Sequence, residues 1–315
     1  MIVWGITALN HGSSIAVFEN QQLIMHQQFR DDHLPLEVIE QAVAFGRPST
    51  VYWYERPLIK KARQLLAGQY ARTFDRSVMP RQYLNSLGLT DVKIVYTPHH
   101  ASHAAAGYYT SPFESAAVVV LDAIGEFESA TIWKASCLGL KKVWARSYPN
   151  SLGLFYSAFT DLVGLAAVSD ESQLEKMSQT GNPLKYRKTV DRYFQGTLEL
   201  NYNFHCGVTD WPFAITGDQD RQDIAAAVQE KFQQQVLAVH QVARKLTGST
   251  NLVYMGGCAF NSTANRSVEP LWDKIWSLDN PGDGTSAIGS VLYHTQQRLL
   301  INNNYNPAAH INIKV

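Results

Sequence analysis

Residues 115–136 read SAAVVVLDAIGEFESATIWKAS. The first eight are apolar and rich in valine, as a strand buried on both faces requires. AIGEFE is a glycine turn, and SATIWKAS returns as a second strand. LKKVWARSY (140–148) supplies a third. The N-terminus follows the same plan. MIVWGIT (1–7) is a strand, ALNHGS a turn and SIAVFEN an alternating strand. A second turn starts at Asn20, and QLIMHQQF (22–29) is a third strand. The order strand, glycine turn, strand, strand thus covers Ile2–Phe29 and again Ala116–Tyr148. It is a repeat of topology more than of letters, and it predicts two similar α/β lobes.

The rest of the chain fits between and after these units. A helix is expected near Leu36–Phe45, then a short strand STVYWYE, a helix opening at Pro57 and a strand KIVYTP (93–98). After the second unit come a helix over 153–164 and a less readable insertion from Ala166 to Gln219. A long amphipathic helix starts at Asp220 and is ended by Gly248. Strand NLVYMGG (251–257), a helix from Ala259, strand KIWSLD (274–279) and a glycine turn leading into a helix (282–300) complete the pattern. The expected division is an N-terminal lobe 1–112, a C-terminal lobe 113–300 containing the insertion near 166–219, and a polar tail 301–315.

Composition narrows the function classes. The 315 residues hold 27 Lys plus Arg and 27 Asp plus Glu, a formal charge of zero. Nothing in that balance favours nucleic acid or acidic lipid as the main partner. Cys137, Cys206 and Cys258 are far apart and form no C-x-x-C, which argues against a disulfide scaffold or thiolate zinc site. The N-terminus lacks a basic segment and a long apolar core, and no apolar run reaches membrane-spanning length. A cytoplasmic globular protein is the expectation.

Three stretches carry chemistry. HHASHAAAGY (99–108) is an Ala-rich helix in which His99 and His103 are four apart and so share a face. Taken alone, the pair is read equally well as an ordinary helix face with satisfied imidazoles. Asp122 ends a buried strand before a glycine turn that runs to Glu126, and Asp283 sits in a second turn, Gly282-Asp283-Gly284. Carboxylates at such turns commonly face a cleft. Two imidazoles and two carboxylates suit iron(II), manganese or zinc. His100 is one position off that face and reads as outlying or surface. The second stretch is the turn Gly256-Gly257-Cys258-Ala259-Phe260-Asn261. A Gly-Gly turn lets backbone approach a phosphate, and a helix start offers free N–H donors. Asn261 and Asn265 share a face and are candidates to grip a ribose or base. The third is the first turn, Asn10-His11-Gly12-Ser13-Ser14, where His11 is placed to polarise a carbonyl or position a hydroxyl. Its glycine and serines also fit plain hairpin geometry. Lys60, Lys61, Arg63, Arg72, Arg76 and Arg81 give 56–81 a basic bias, which reads as a solvated helix face before it reads as a site for an anion.

Taken in order, these motifs resemble the N-terminal, ASKHA-type domain of O-carbamoyltransferases of the NodU/CmcH type. GITALNHGSSIAVFENQQL resembles that family's first hairpin, and VYWYERPLIKKARQL its "FYEKPLLK" segment. HHASHAAAGYYTSPFESAAVVVLDAIGEFESATI, SLGLFYSAFTDLVG, MGGCAFNSTAN and GDGTSAIGSVL resemble further blocks. The resemblance implies a two-lobed, actin-like fold of duplicated RNase H-like halves with a central cleft. It implies an iron site on His99, His103, Asp122 and Asp283. It places nucleotide contacts at Gly256, Gly257, Asn261 and Asn265 with Gly282 beside them, and reacting-group roles at His11 and Glu126. The implied reaction passes a carbamoyl group from carbamoyl-adenylate, derived from ATP and carbamoyl phosphate, to a small-molecule hydroxyl. A separate YrdC-like adenylating subunit is the expected partner, and a homo- or hetero-oligomer fits that need. Three departures stand out: Gly12 where the family usually has Asp, Ala123 in place of the first Gly of "DGVGEW", and LEKMSQTG (174–181) in place of "EYKVMGLAPYG". Glu175 and Lys176 stand near the usual Glu and Lys there. The rival reading is a metal- and nucleotide-binding partner subunit without catalysis. A transfer to tRNA is the third, which neutral charge disfavours.

Overall fold

The computed structural model describes residues 1–10 and 12–299. His11 and the polar tail 301–315 lie outside the described residues. In the first half, β1 (Ile2–Asn10), β2 (Gly12–Glu19) and β3 (Gln22–Phe29) form an antiparallel meander. α1 (Leu36–Phe45) leads to β4 (Thr50–Trp53), which joins β1 in parallel. α2 (Pro57–Leu66), α3 (Tyr70–Phe74) and α4 (Pro80–Ser86) lead to β5 (Lys93–Tyr96), parallel to β4. α5 (His99–Thr110) follows.

The second half repeats this. β6 (Ala116–Gly125), β7 (Glu128–Ser136) and β8 (Gly139–Ser147) are antiparallel neighbours. α6 (Leu152–Leu162) opens onto the insertion, which contains α7 (Glu171–Met177), α8 (Arg187–Asp191) and a hairpin of β9 (Phe194–Gly196) and β10 (Glu199–Leu200). α9 (Asp218–Thr247) brings the chain to β11 (Asn251–Met255), parallel to β6. α10 (Ser262–Val268), β12 (Lys274–Trp276, parallel to β11) and α11 (Ser286–Thr295) finish it. The sheet orders are β3-β2-β1-β4-β5 and β8-β7-β6-β11-β12. Each half is three antiparallel strands extended by two parallel ones, the duplicated α/β architecture the strand repeat predicts.

Two elements differ from the sequence pattern. Residues past Pro57 form three short helices, not one. The helix expected from Ala259 is a single 3-10 turn, Gly257–Phe260. α10 starts only after Asn261, whose side chain accepts the Ala264 N–H and caps it. α9 ends as expected, at Gly248 in the left-handed region (φ 67°).

α5 and α11 lie against each other between the sheets. α5 packs on β6 and β11, and α11 on β1. All twelve residues of α5 are buried, because Ala101, Ala104, Ala105 and Ala106 are small enough to fit between layers. A Cβ on Gly289 of α11 would stand 1.8 Å from the Ser102 carbonyl oxygen, so the helices touch backbone to backbone there. One core lies under α1 and α4, around Trp4 and Trp53, and a larger one under α6 and α9, around Phe155 and Phe232. Among the described residues, no helix is long and apolar enough to cross a membrane.

Candidate metal centre and the cavity beside it

α5 begins at His99, directly after Pro98, so its first turns present His99 and His103 from one face. β6 pairs regularly with β7 as far as Leu121. Its register then shifts before Gly125, and Asp122 lies in that irregular stretch. Asp283 opens the short turn ahead of α11. The four side chains meet at one point. His99 Nε2 lies 3.1 Å from His103 Nε2, 3.1 Å from Asp122 Oδ2 and 3.3 Å from Asp283 Oδ1. His103 Nε2 lies 3.1 Å from Asp283 Oδ1 and 3.4 Å from Asp122 Oδ2. All four donor atoms lie within 4.8 Å of one another.

These residues fit a single metal ion. Ligand atoms about 2.0–2.2 Å from a shared ion stand about 3.0–3.5 Å apart when they are neighbours around it. Both imidazoles are buried. Burial disfavours charge on His103, but the carboxylates of Asp122 and Asp283 outweigh it and hold the imidazole up at about 9. Burial opposes the charge on Asp122 too, and the two imidazoles still hold its carboxyl well below the usual range. The cluster therefore favours positive charge at its centre. Nitrogen and carboxylate donors together accept iron(II), manganese or zinc. Supporting contacts fix the donors. His103 Nδ1 lies 3.4 Å from Ser286 Oγ, and with a metal on Nε2 the Nδ1–H would donate to that hydroxyl. Asp122 Oδ1 accepts the Ala123 N–H at 2.8 Å and the Gly257 N–H at 3.4 Å.

Asp122 and Asp283 line a cavity of about 650 Å³, whose wall also includes Glu126, Gly257, Asn261 and Gly282. Gly256 shapes this wall from behind. Its φ is 94°, and a Cβ there would stand 2.2 Å from the Leu121 carbonyl oxygen, so glycine is required. Several expectations change. Glu126 is no free acid or base. Its carboxylate accepts the Arg56 N–H at 2.6 Å and the Arg56 guanidinium at 2.5–3.1 Å, which makes it a positioning residue. Asn261 reaches the cavity with its amide already committed to Gln229 and to the cap of α10. Asn265 is absent from the cavity wall and donates to the Ala259 carbonyl, so it does not join Asn261 in gripping a ligand. His100 is fully buried, not surface, and its Nδ1 meets Thr131 Oγ1 at 3.0 Å. Glu175 lines the cavity and accepts from Ser262 and Thr263 at the start of α10.

The basic segment is not a solvated face throughout, because Lys60, Arg63 and Arg72 line the cavity. Arg63 Nε donates to the Glu126 carbonyl at 3.1 Å. Arg56 and Arg63 are seven apart, a helix spacing that returns to one face, and both hold Glu126. That spacing was the available signal. Arg81 does face outward, donating to the Thr90 and Val92 carbonyls.

Comparison with known proteins gives the family and the fold. Residues 54–292 match the family model described as Carbamoyltransferase N-terminus. An uncharacterized protein of Synechocystis sp. is 28% identical over 92% of this chain and 56% of its own length. Nodulation protein NolO of Bradyrhizobium diazoefficiens is 27% identical over 62% of this chain and 37% of its own. The chain thus spans about half, or less, of the length of these relatives. Among solved structures, the activator of the 2-hydroxyisocaproyl-CoA dehydratase from Clostridium difficile with bound ADPNP matches with a TM-score of 0.50 at 14% identity. That match covers 93% of this chain and 94% of the other, and it shows a shared fold. By the match over residues 54–292, the chain belongs to the carbamoyltransferase N-terminus family.

Proposed function

We propose that this chain transfers a carbamoyl group from carbamoyl-adenylate to the hydroxyl of a small molecule, beside a mononuclear metal centre of His99, His103, Asp122 and Asp283. The observation that carries this reading is the convergence of four donor atoms within 4.8 Å at the edge of a cavity of about 650 Å³. A cavity of that size suits a nucleotide-sized ligand. In the transfer, the acceptor oxygen bonds to the carbamoyl carbon, the carbon–oxygen bond to the adenylate phosphate breaks, AMP leaves and the hydroxyl proton passes to solvent water. A bound divalent ion, iron(II) by resemblance with manganese or zinc as alternatives, supplies positive charge to a phosphate oxygen.

The chain's own residues position the reactants. The Ala123 and Gly257 N–H groups hold the Asp122 carboxylate, and Ser286 orients His103. Gly257 and Gly282 keep the wall beside the two carboxylates clear of side chains. Arg56 and Arg63 brace the turn at Glu126, so that part of the wall does not collapse inward. The adenylate is assigned to a separate YrdC-like protein acting on ATP and carbamoyl phosphate. The second reading, a metal- and nucleotide-binding subunit without catalysis, is favoured by the commitment of Glu126 to Arg56. The test combines the protein, ferrous iron, ATP, carbamoyl phosphate and a YrdC-like protein with a panel of alcohols. Carbamoylated alcohol that disappears in His103→Ala is expected. No product with any alcohol, while metal and nucleotide still bind, would establish the second reading.

A further inference from the structure

One wall of the cavity carries two arginines, Arg63 and Arg72, with no carboxylate in ion-pair contact among the described residues. Arg63, from α2, is 6% exposed. Its Nε meets the Glu126 carbonyl and its Nη1 meets Gln69 Oε1, both at 3.1 Å. Among the described residues, neither Arg63 nor Arg72 forms an ion pair with a carboxylate. The nearby carboxylates are taken: Glu55 by Lys60 at 2.7 Å, and Glu126 by Arg56 at 2.5 Å. Arg63 also fixes its neighbours. A guanidinium only donates, so the Gln69 oxygen faces Arg63 and the Gln69 amide N–H faces His205. Gln69 Nε2 then donates to His205 Nε2 at 2.8 Å. The imidazole proton is thereby placed on Nδ1, a buried atom with no partner among the described residues. Burial, together with the charges of Arg63 and Arg72, holds the His205 pKa down and keeps the ring neutral. Arg63, Gln69, Arg72 and His205 all line the cavity that Asp122 and Asp283 reach.

A buried guanidinium without a directly paired carboxylate is costly, and an oxyanion that enters the cavity lowers that cost. Guanidinium forks match carboxylate and phosphate oxygens in particular. We propose that Arg63, Arg72 and His205 form an anion subsite, and that the acceptor is a hydroxylated molecule bearing a carboxylate or phosphate group. This rests on the carbamoyl-transfer reading and names the substrate class for it.

The test is calorimetric titration of glycerol 3-phosphate, glycerate and glycerol into wild type, Arg72→Gln, His205→Phe and Arg81→Gln, each checked for folding by its thermal melt. At least one of the two anions binds wild type and glycerol does not. Whichever anion binds more tightly separates a phosphate-bearing from a carboxylate-bearing acceptor. Arg72→Gln weakens that binding about tenfold and His205→Phe weakens it in the same direction. Arg81→Gln stays within about twofold of wild type, because the Arg81 guanidinium faces outward and donates to the Thr90 and Val92 carbonyls. Absence of anion binding, no loss in either Arg72→Gln or His205→Phe, or equal loss in Arg81→Gln would overturn the subsite. Failure of carbamoyl transfer reads out separately, as absent product in the adenylate assay with the anion titration intact.

Discussion

His103 has the most to lose by substitution, since it touches His99, Asp122, Asp283 and Ser286 at once. His103→Ala should lower metal affinity at least about a hundredfold, read by competition with a chromophoric chelator. Ser286→Ala removes only the hydroxyl that meets His103 Nδ1. It should cost about tenfold in the same titration with the fold intact, and an unchanged affinity would show that Ser286 does not orient the ring. Arg56→Gln should strip most of the partners from a buried carboxylate. The half-exposed guanidinium moderates the loss, so about 1–2 kcal/mol is expected in urea denaturation. The four metal-ligand candidates were legible in the sequence, because an i, i+4 histidine pair and two carboxylates on glycine turns are local signals. The role of Glu126 was not, since its partner Arg56 lies 70 residues away. Arg63, Gln69 and His205 were illegible as a group for the same reason: Gln69 meets His205 across 136 residues.

At the scale of elements, the contact between α5 and α11 is tight because Gly289 has no side chain. Gly289→Ala would set a Cβ 1.8 Å from the Ser102 carbonyl oxygen, and the helices must separate to admit it. A loss of about 1–3 kcal/mol is expected, with a lower melting temperature. α9 carries a pH-sensitive contact away from the centre. His240 is fully buried, its Nδ1 accepts from Trp272 Nε1 at 3.2 Å, and burial lowers its pKa to about 3 from 6.5. The unfolded chain therefore takes up the proton first as pH falls. The contribution is intact above about pH 6.5 and is lost on acidification toward pH 3, by up to about 1.4 kcal/mol per pH unit. Urea midpoints between about pH 7 and pH 5 should fall less steeply in His240→Phe than in wild type, and equal slopes would contradict this. The elements that sequence patterning found are the long or strongly patterned ones: the two three-strand units and α9 with its Gly248 stop. It missed α3, α4 and the β9–β10 hairpin. These are two to seven residues long and held by tertiary contacts, not by their own periodicity.

Across the whole molecule, duplication explains where the centre lies. Each sheet runs through the same order of three antiparallel and two parallel strands. α5 and α11 follow the last parallel strand of their respective halves and meet between the sheets. His99 and His103 come from α5, Asp283 from the turn before α11 and Asp122 from β6, so the donors tie together elements from both halves. An ion bound there should stabilise the folded chain, by about 2.7 kcal/mol when its free concentration is a hundred times its dissociation constant. A chelator should correspondingly lower the melting temperature of wild type and leave His103→Ala unmoved. That these four side chains hold one metal ion is checked by elemental analysis of the purified protein beside Asp283→Asn. One equivalent of a divalent transition metal per wild-type chain and a large loss in the variant are expected. A wild-type chain that retains no metal after supply of iron(II), manganese or zinc, or a variant that retains as much as wild type, would contradict it.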